Sequence, residues 1–286
     1  MLEKINHKSA PKEVVNALVA LYHQGKFDDV LSRSSQLIKE YPQTFVLHNI
    51  IGAISFEKGQ KEVAIKHFRK VIELRPHHPH AYNNLGAALI DVGEYEEAKS
   101  NLKKAIELQP DYAEAYNNLG NVYKEMEEYN QAISVYEKAI ELNPEYYEAY
   151  NNLGVVLGKN EQYEEAEKVL KQVIKLQPDF VEAINILGSI LTYIEKYEEA
   201  KAILNQSIKI HPSNVEALSN LGNVYRKLNK HEQAINQYKR AIKINPNYYE
   251  ALNNMGLVLT QLEKYSEAKN ILKQAIKINP KQVEAY

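Results

Sequence analysis

The sequence contains no cysteine and no tryptophan, and each absence restricts what the protein can do. Without cysteine there are no disulfides, no thiolate metal ligands and no thiol nucleophile. Without tryptophan, tyrosine is the main large aromatic residue, with 21 copies against 5 phenylalanines. We therefore expect tyrosine rings in the core, where each buried hydroxyl group needs a hydrogen-bond partner.

A strong charge imbalance and long apolar runs are also missing. The formal net charge is −2 over 286 residues, whereas a nucleic-acid-binding protein needs a basic face to neutralise phosphates. No apolar segment approaches membrane-spanning length, and residues 1–15 lack the apolar core of a signal peptide. We expect no nucleic-acid partner, no membrane partner and a cytoplasmic location.

Catalytic motifs are absent as well. The sequence has no phosphate-binding glycine loop, no HExxH and no GxSxG. An active site needs unique residues, whereas the notable residues of this chain recur at regular intervals. The sequence therefore predicts that this chain is not an enzyme and binds no cofactor.

What the sequence does have is a period of 34 residues. Prolines keep this spacing from Pro42 to Pro280, glycines from Gly52 to Gly256 and alanines from Ala64 to Ala268. Residues 1–10 form an N-terminal extension, and residues 283–286 begin a ninth repeat that is not completed. Between them lie eight predicted repeats: 11–44, 45–78, 79–112, 113–146, 147–180, 181–214, 215–248 and 249–282.

Each repeat has the pattern of two helices. In repeat 79–112, apolar residues of the first half share one helical face, with the spacing i, i+3, i+4, i+7: Tyr82, Leu85, Gly86 and Leu89. A second apolar stripe follows from Tyr95 to Leu108, and Pro110 cannot continue a helix. No β-strand alternation appears, so the fold is predicted to be all-α.

The glycine inside the first helix needs a reason, because glycine costs about 1 kcal/mol relative to alanine there. We predict that Gly86 lets the second helix approach closely at the small residue Ala98. One hairpin cannot bury both of its faces, so stacking of neighbouring hairpins into a solenoid is expected.

The turns between paired helices differ in sequence. Glycine or asparagine, which suit a left-handed residue after a helix, stands at Gly25, Gly59, Gly93 and Asn229. Glutamate takes the same position at Glu127, Glu161, Glu195 and Glu263. We expect these four turns to be strained or built differently.

A row of glutamates near the helix starts also follows the period: Glu114, Glu148, Glu182, Glu216 and Glu250. Four of them stand three residues after a short polar residue, namely Asp111, Asp179, Ser213 and Asn247. That spacing predicts a capping box, in which the glutamate reaches back to the helix start. The alternative is an acidic track for a basic partner.

The helix–turn–helix frame of 34 residues, with its Leu-Gly, alanine and proline positions, resembles the tetratricopeptide repeat over nearly the whole chain. Repeat 11–44 departs from the pattern, with Leu18 in place of glycine and Ser34 in place of a larger residue, as a capping repeat could. The resemblance implies a right-handed superhelix, an α-solenoid whose first helices line a concave groove.

Asparagines precede Leu-Gly in most copies of the motif "AYNNLG". At about 100° per residue they lie roughly opposite the apolar stripe, and would therefore face the groove. We call the asparagine directly before Leu-Gly the outer row: Asn84, Asn118, Asn152, Asn220 and Asn254, with Ile50 and Ile186 interrupting it. A carboxamide both donates and accepts hydrogen bonds, so such a row could hold a peptide main chain. The row resembles the asparagine ladder of O-linked N-acetylglucosamine transferase arms, which implies backbone binding of an extended segment.

Further asparagines are weaker candidates for the same groove. The inner row stands one residue earlier, at Asn83, Asn117 and Asn151, with Asn49, Asn185 and Asn253 in phase. Asn121 and Asn223 lie one helical turn further on and could add contacts. The alternative is that asparagines in these rows bond to neighbouring side chains or backbone.

Two other groups of residues have simpler interpretations. Lys124, Lys159, Arg226 and Lys227 end the first helices, but Asn, Ser, Ile or Val fills the positions at which related proteins clamp carboxylates, so a chaperone-tail clamp is not expected. His77, His78 and His80 could attract a metal ion, but a plain loop cluster is favoured because no further ligand set is near.

The sequence thus predicts a scaffold that binds a protein or peptide ligand in its groove. One alternative is that the chain is the substrate-recruiting arm of a larger enzyme, such as a glycosyltransferase or sulfotransferase. Self-association through the end repeats is another.

Overall fold

The structure is a computed structural model that describes residues 9–280. The chain divides into two units, Met1–Ala149 and Tyr150–Tyr286, and each is considered by itself. Most of the predicted N-terminal extension and the predicted start of a ninth repeat lie outside the described residues.

Residues 9–280 form sixteen helices and no strand, with two helices in each 34-residue segment. The first helices of the segments are α1 (Lys12–His23), α3 (Phe45–Glu57), α5 (Pro79–Ile90), α7 (Ala113–Glu125), α9 (Tyr147–Lys159), α11 (Val181–Tyr193), α13 (Val215–Lys227) and α15 (Tyr249–Gln261). The second helices are α2 (Phe27–Glu40), α4 (Lys61–Leu74), α6 (Tyr95–Leu108), α8 (Tyr129–Leu142), α10 (Tyr163–Leu176), α12 (Tyr197–Ile210), α14 (His231–Ile244) and α16 (Tyr265–Ile278).

Within each unit the hairpins stack. The helices of a hairpin pack on each other, and the second helix packs on the first helix of the next hairpin. First helices of neighbouring hairpins also touch, as α5 does with α7 and α13 with α15. The prediction of an all-α helical-repeat fold is confirmed.

The helical glycine contacts a large side chain, and the predicted contact with a small alanine was wrong. A Cβ atom built on Gly86 would lie 2.6 Å from Cγ of Leu102, sixteen residues further on. At Gly120 the nearest atom would be Cε1 of Tyr136, at 2.4 Å. A buried side chain of the second helix therefore fills the space that a side chain at the glycine position would need.

All eight turns inside the hairpins have the same backbone form. In each turn, the backbone N–H of the residue that follows the left-handed residue donates a hydrogen bond to the carbonyl five residues earlier. One example is the bond from Glu128 N to Tyr123 O, at 2.8 Å. The left-handed residue has positive φ, both at Gly93 (79°) and at Glu127 (59°). The four glutamate turns are thus built like the glycine turns, with a residue type that disfavours this conformation.

Proline separates one hairpin from the next. The second helix α6 ends at Leu108, and Gln109 before Pro110 is extended, with φ −140° and ψ 91°. A residue before proline avoids the helical region because it would clash with the ring, so the helix ends there.

The glycine contact predicts opposite effects of alanine at two helical glycines. Gly120→Ala should lower the free energy of unfolding by about 1–3 kcal/mol, because its Cβ would overlap the fully buried Tyr136 ring. The matched control is Gly158→Ala, whose Cβ would meet Ile190 at an ordinary 3.5 Å and which should gain helix propensity. Urea denaturation of both variants checks this, and equal effects would contradict it.

The positive-φ glutamates predict a stabilising change. Glu127→Gly should raise the free energy of unfolding by about 0.5–1 kcal/mol, because glycine adopts this conformation without a Cβ clash. Glu128→Gly serves as the control, since Glu128 has φ −83° and gains nothing from glycine. A melting temperature that falls in both variants would show that the turn is not strained.

Candidate functional site

The first helices of the second unit line a concave groove of about 790 Å³. Three of the predicted asparagines lie on its wall: Asn220, Asn223 and Asn254. The wall also carries Glu182, Glu216 and Glu250, together with apolar and aromatic side chains. The residue types predicted to face a groove are therefore combined here on α11, α13 and α15.

The outer row is half-buried along the first helices. Several of its amides donate one hydrogen bond to the preceding hairpin: Asn118 Nδ2 to Asn83 Oδ1 (2.9 Å), Asn220 Nδ2 to Asn185 O (3.3 Å) and Asn254 Nδ2 to Asn223 Oδ1 (3.0 Å). These bonds hold the side chains in place. Each carboxamide has a second N–H and an oxygen that these bonds do not use.

The inner row lies beneath the surface. Asn83, Asn117 and Asn151 have exposed fractions of 0%, 6% and 3%. Asn83 Nδ2 donates to Glu114 Oε1 at 3.0 Å, and Asn151 Nδ2 donates to Glu182 Oε1 at 3.1 Å. Asn185 makes the same bond to Glu216 Oε2, also at 3.0 Å. The inner row therefore joins successive hairpins, and little of its side-chain surface is exposed.

The glutamates have a different role from the predicted one, and the capping-box prediction was wrong. Helix α7 begins at Ala113 with Tyr112 as its N-cap, so Asp111 stands one residue too early, and no side chain caps this helix. Helices α11 and α15 likewise have Phe180 and Tyr248 at the N-cap, without a side-chain cap. Among the first helices whose caps the structure describes, only α13 has a side-chain cap. There Ala217 N donates to Asn214 Oδ1 at 3.1 Å, so the capping residue is Asn214 and not the predicted Ser213.

Tyrosines at the N-cap position lie close to these carboxylates. Burial and the charges of Glu250 and Glu216 raise the pKa of Tyr248 to about 12. Burial and the charges of Glu114 and Glu148 raise the pKa of Tyr146 to about 12 in the same way. Each of these tyrosines is therefore neutral at pH 7 and sits beside the glutamates of two successive hairpins.

Asn121 and Asn223 have a partner that the sequence analysis missed. Asn121 Oδ1 accepts a hydrogen bond from the Tyr136 hydroxyl at 2.8 Å, and Asn223 Oδ1 accepts one from Tyr238 at 2.7 Å. Both tyrosine side chains are fully buried. These two asparagines satisfy the core hydroxyls that the abundance of tyrosine made necessary.

The signal for this pairing was present in the sequence. Asparagine follows the helical glycine in the two repeats with tyrosine sixteen residues after that glycine. Where leucine or phenylalanine replaces the tyrosine, the residue after the glycine is Ala53, Ala87, Val155, Ser189 or Leu257. Comparing the repeats with one another would have identified Asn121 and Asn223 as hydroxyl partners.

Some inner-row asparagines, Asn151 among them, lack a hydrogen bond that Asn83 makes. Asn83 Oδ1 accepts from Asn118, but the residue in the register of Asn118 for Asn151 is Ile186, which cannot donate. The buried Oδ1 of Asn151 has no partner among the described residues, and neither has that of Asn49, although Asn84 stands in the corresponding position. Ile186 instead adds apolar surface to the groove.

An aromatic pair at the groove was also not predicted. The rings of Tyr163 and Tyr193 have centroids 4.2 Å apart, and Tyr193 is 65% exposed. Both residues line the groove, as does Ile190. The pair joins α10 of one hairpin to α11 of the next, so no local sequence pattern indicates it.

The basic and histidine residues are spread over several environments. Lys159 lines the groove, whereas Lys124 pairs with Glu125 at 3.3 Å. His80 Nδ1 lies 2.8 Å from the Tyr112 hydroxyl, and the rings of His78 and His80 are in edge contact.

Within residues 9–280, histidine and carboxylate side chains form no group of three that could hold a metal ion. No helix in that range has the length and apolarity needed to cross a membrane.

The stacked helical hairpins and the groove on their first helices define the class of protein: an array of tetratricopeptide repeats. Residues 13–285 match the family model described as the cilia and flagella-associated protein 70 C-terminal domain. The match covers nearly the whole chain, so the chain belongs to this family of tetratricopeptide-repeat domains.

Solved structures share this fold. YrrB, described as a tetratricopeptide-repeat protein with an unusual peptide-binding site, is 31% identical with a TM-score of 0.56, and the match covers 65% of this chain and 95% of YrrB. PilF of Pseudomonas aeruginosa is 23% identical with a TM-score of 0.61, over 72% of this chain and 94% of its own. A chain of the APC/C Cut9–Hcn1 hetero-tetramer is 19% identical with a TM-score of 0.67, over 95% of this chain and 54% of its own. A comparison with curated proteins gave no match.

The tyrosine–asparagine bonds predict a coupling between two positions. Asn121→Ala should lower the free energy of unfolding by about 1–2 kcal/mol, because the buried Tyr136 hydroxyl loses its acceptor. Combining it with Tyr136→Leu reproduces the pair found at Ala87 and Leu102, and should recover part of the loss. A double-mutant cycle measured by urea denaturation checks this, and strictly additive effects would contradict it.

Proposed function

We propose that this chain is a protein-interaction scaffold that binds an extended peptide segment along its first helices. Membership of a tetratricopeptide-repeat family supports a role as a scaffold for protein partners. The observation that supports peptide binding most directly is the groove of the second unit, with Asn220 and Asn254 on its wall.

The geometry of these amides suits a peptide main chain. Asn220 and Asn254 each use one N–H toward the preceding hairpin, which fixes the direction of the carboxamide. The second N–H and the oxygen can pair with a backbone carbonyl and a backbone amide, whatever the ligand's side chains are. The related YrrB is described as having a peptide-binding site, which agrees with this use of the groove.

The outer row therefore remains the proposed contact surface: Asn84, Asn118, Asn152, Asn220 and Asn254. We assign Asn83, Asn117 and Asn151 to the joining of hairpins, because they are buried. Asn121 and Asn223 contribute through the tyrosines they hold and, for Asn223, through the bond to Asn254. If this array recruits substrates for a larger enzyme, the same groove would serve.

A peptide array tests this proposal. The double variant Asn220→Ala/Asn254→Ala should weaken binding of captured peptides roughly thirtyfold, because two hydrogen bonds of about 1 kcal/mol each are lost. The control is Asn205→Ala, on the exposed surface of the second helix α12, which should bind like the unmodified chain. Circular dichroism should show equal helicity in all three proteins.

Equal affinity of the double variant and the unmodified chain for the captured peptides would contradict the proposed role of the outer row. Capture of no peptide by the unmodified chain would contradict peptide binding itself.

A further inference from the structure

We propose that the groove of the second unit selects extended peptide segments that carry lysine or arginine side chains. This inference rests on the proposed function and specifies its ligand. Two independent features of the groove, its carboxylates without ion pairs and its partly exposed aromatic pair, indicate the same cationic chemistry.

The first feature is charge. Glu182, Glu216 and Glu250 line the groove from three successive first helices, and Lys159 is the one lysine or arginine among the lining residues. Side-chain hydrogen bonds from Asn151 and Asn185 orient the first two carboxylates without neutralising them. At Glu250 the inner-row position is Ser219 instead of an asparagine.

These glutamates differ from Glu167, which lies on the second helix α10 of the same unit. Within residues 9–280, none of the three forms an ion pair with a lysine or arginine. By contrast, Glu167 is held by Lys171 and Lys196 at 2.6 and 2.8 Å. The groove thus retains negative charge, whereas a nearby carboxylate of α10 is already paired.

The capping box would have explained the glutamates without a ligand, but the described helix starts exclude it. The inter-hairpin hydrogen bond would be satisfied equally by glutamine, since it needs only an acceptor oxygen. Glutamate adds a charge that this bond does not require.

The second feature is the tilted ring pair of Tyr163 and Tyr193. An exposed aromatic face attracts a guanidinium or ammonium group, and the neighbouring Ile186 and Ile190 can cover its aliphatic stem. A lysine or arginine side chain therefore finds an apolar contact, a ring face and a carboxylate in one groove.

Matched fluorescent dodecapeptides test this inference on the full chain. The three peptides are based on one sequence drawn from the array and are identical except at four alternate positions. These four positions are all lysine in the first peptide, all glutamine in the second and all glutamate in the third. We expect the lysine peptide to bind at least tenfold more tightly than the glutamine peptide, and the glutamate peptide to bind most weakly. The lysine preference should shrink between 50 and 500 mM salt.

Variants locate the preference. The triple variant Glu182→Gln/Glu216→Gln/Glu250→Gln keeps the acceptor oxygens and should reduce the lysine preference roughly tenfold, since each exposed ion pair contributes little alone. The matched control Glu164→Gln/Glu232→Gln/Glu267→Gln removes the same charge from exposed positions of second helices and should retain the preference. Tyr193→Ala should weaken binding of the lysine peptide roughly threefold and should weaken binding of the glutamine peptide less.

Equal binding of lysine and glutamine peptides, or an equal loss of preference in the control triple variant, would overturn the inference. If peptides bind without a lysine preference and the Asn220→Ala/Asn254→Ala variant loses them, the proposed function stands and this inference fails. If no array peptide binds, the proposed function has failed.

Discussion

The hairpins depend on one contact between a backbone and a side chain. In seven of the eight repeats a helical glycine leaves the space that a leucine, tyrosine or phenylalanine of the second helix fills. The first repeat reverses this arrangement, because Leu18 stands in place of glycine and the small Ser34 stands sixteen residues later, both buried. The constraint is therefore the combined volume of two positions, since a packed core tolerates volume-conserving exchanges best.

The polar surface follows from this contact. Once the glycine face of the first helix is turned toward the second helix, the residues before Leu-Gly lie at the junction with the next hairpin. The inner row meets the glutamate of the following hairpin there, as Asn83 meets Glu114. A bond that joins two hairpins therefore also sets the direction of a carboxylate and, through Asn118, of an outer-row amide. The stacking and the groove surface are products of the same hydrogen bonds.

The sequence was sufficient for the parts of the structure that depend on periodicity. The 34-residue spacing and the apolar stripes predicted paired helices, and proline predicted where second helices end. The asparagine–glutamate bonds could not be predicted, because their partners are about 31 residues apart and the capping-box spacing offered a local explanation. Helix starts inferred from sequence can be displaced by one residue, and here that displacement removed Asp111 from the cap. The contact between Tyr163 and Tyr193 depends wholly on how one hairpin packs on the next in three dimensions.

Ile186 changes the chemistry of the groove wall in the second unit. An asparagine there would continue the outer row and could donate to the buried Asn151 oxygen, which is left without a partner among the described residues. A buried acceptor without a partner costs about 1–3 kcal/mol, and isoleucine cannot supply the missing donor. Local choices that oppose stability are expected where a site needs a particular surface. Isoleucine provides apolar surface beside Ile190 and the tyrosine pair, and a ligand's side chain can use that surface whereas its main chain cannot. Under the proposed function, the interruption of the amide row is the place where the groove would distinguish one ligand sequence from another.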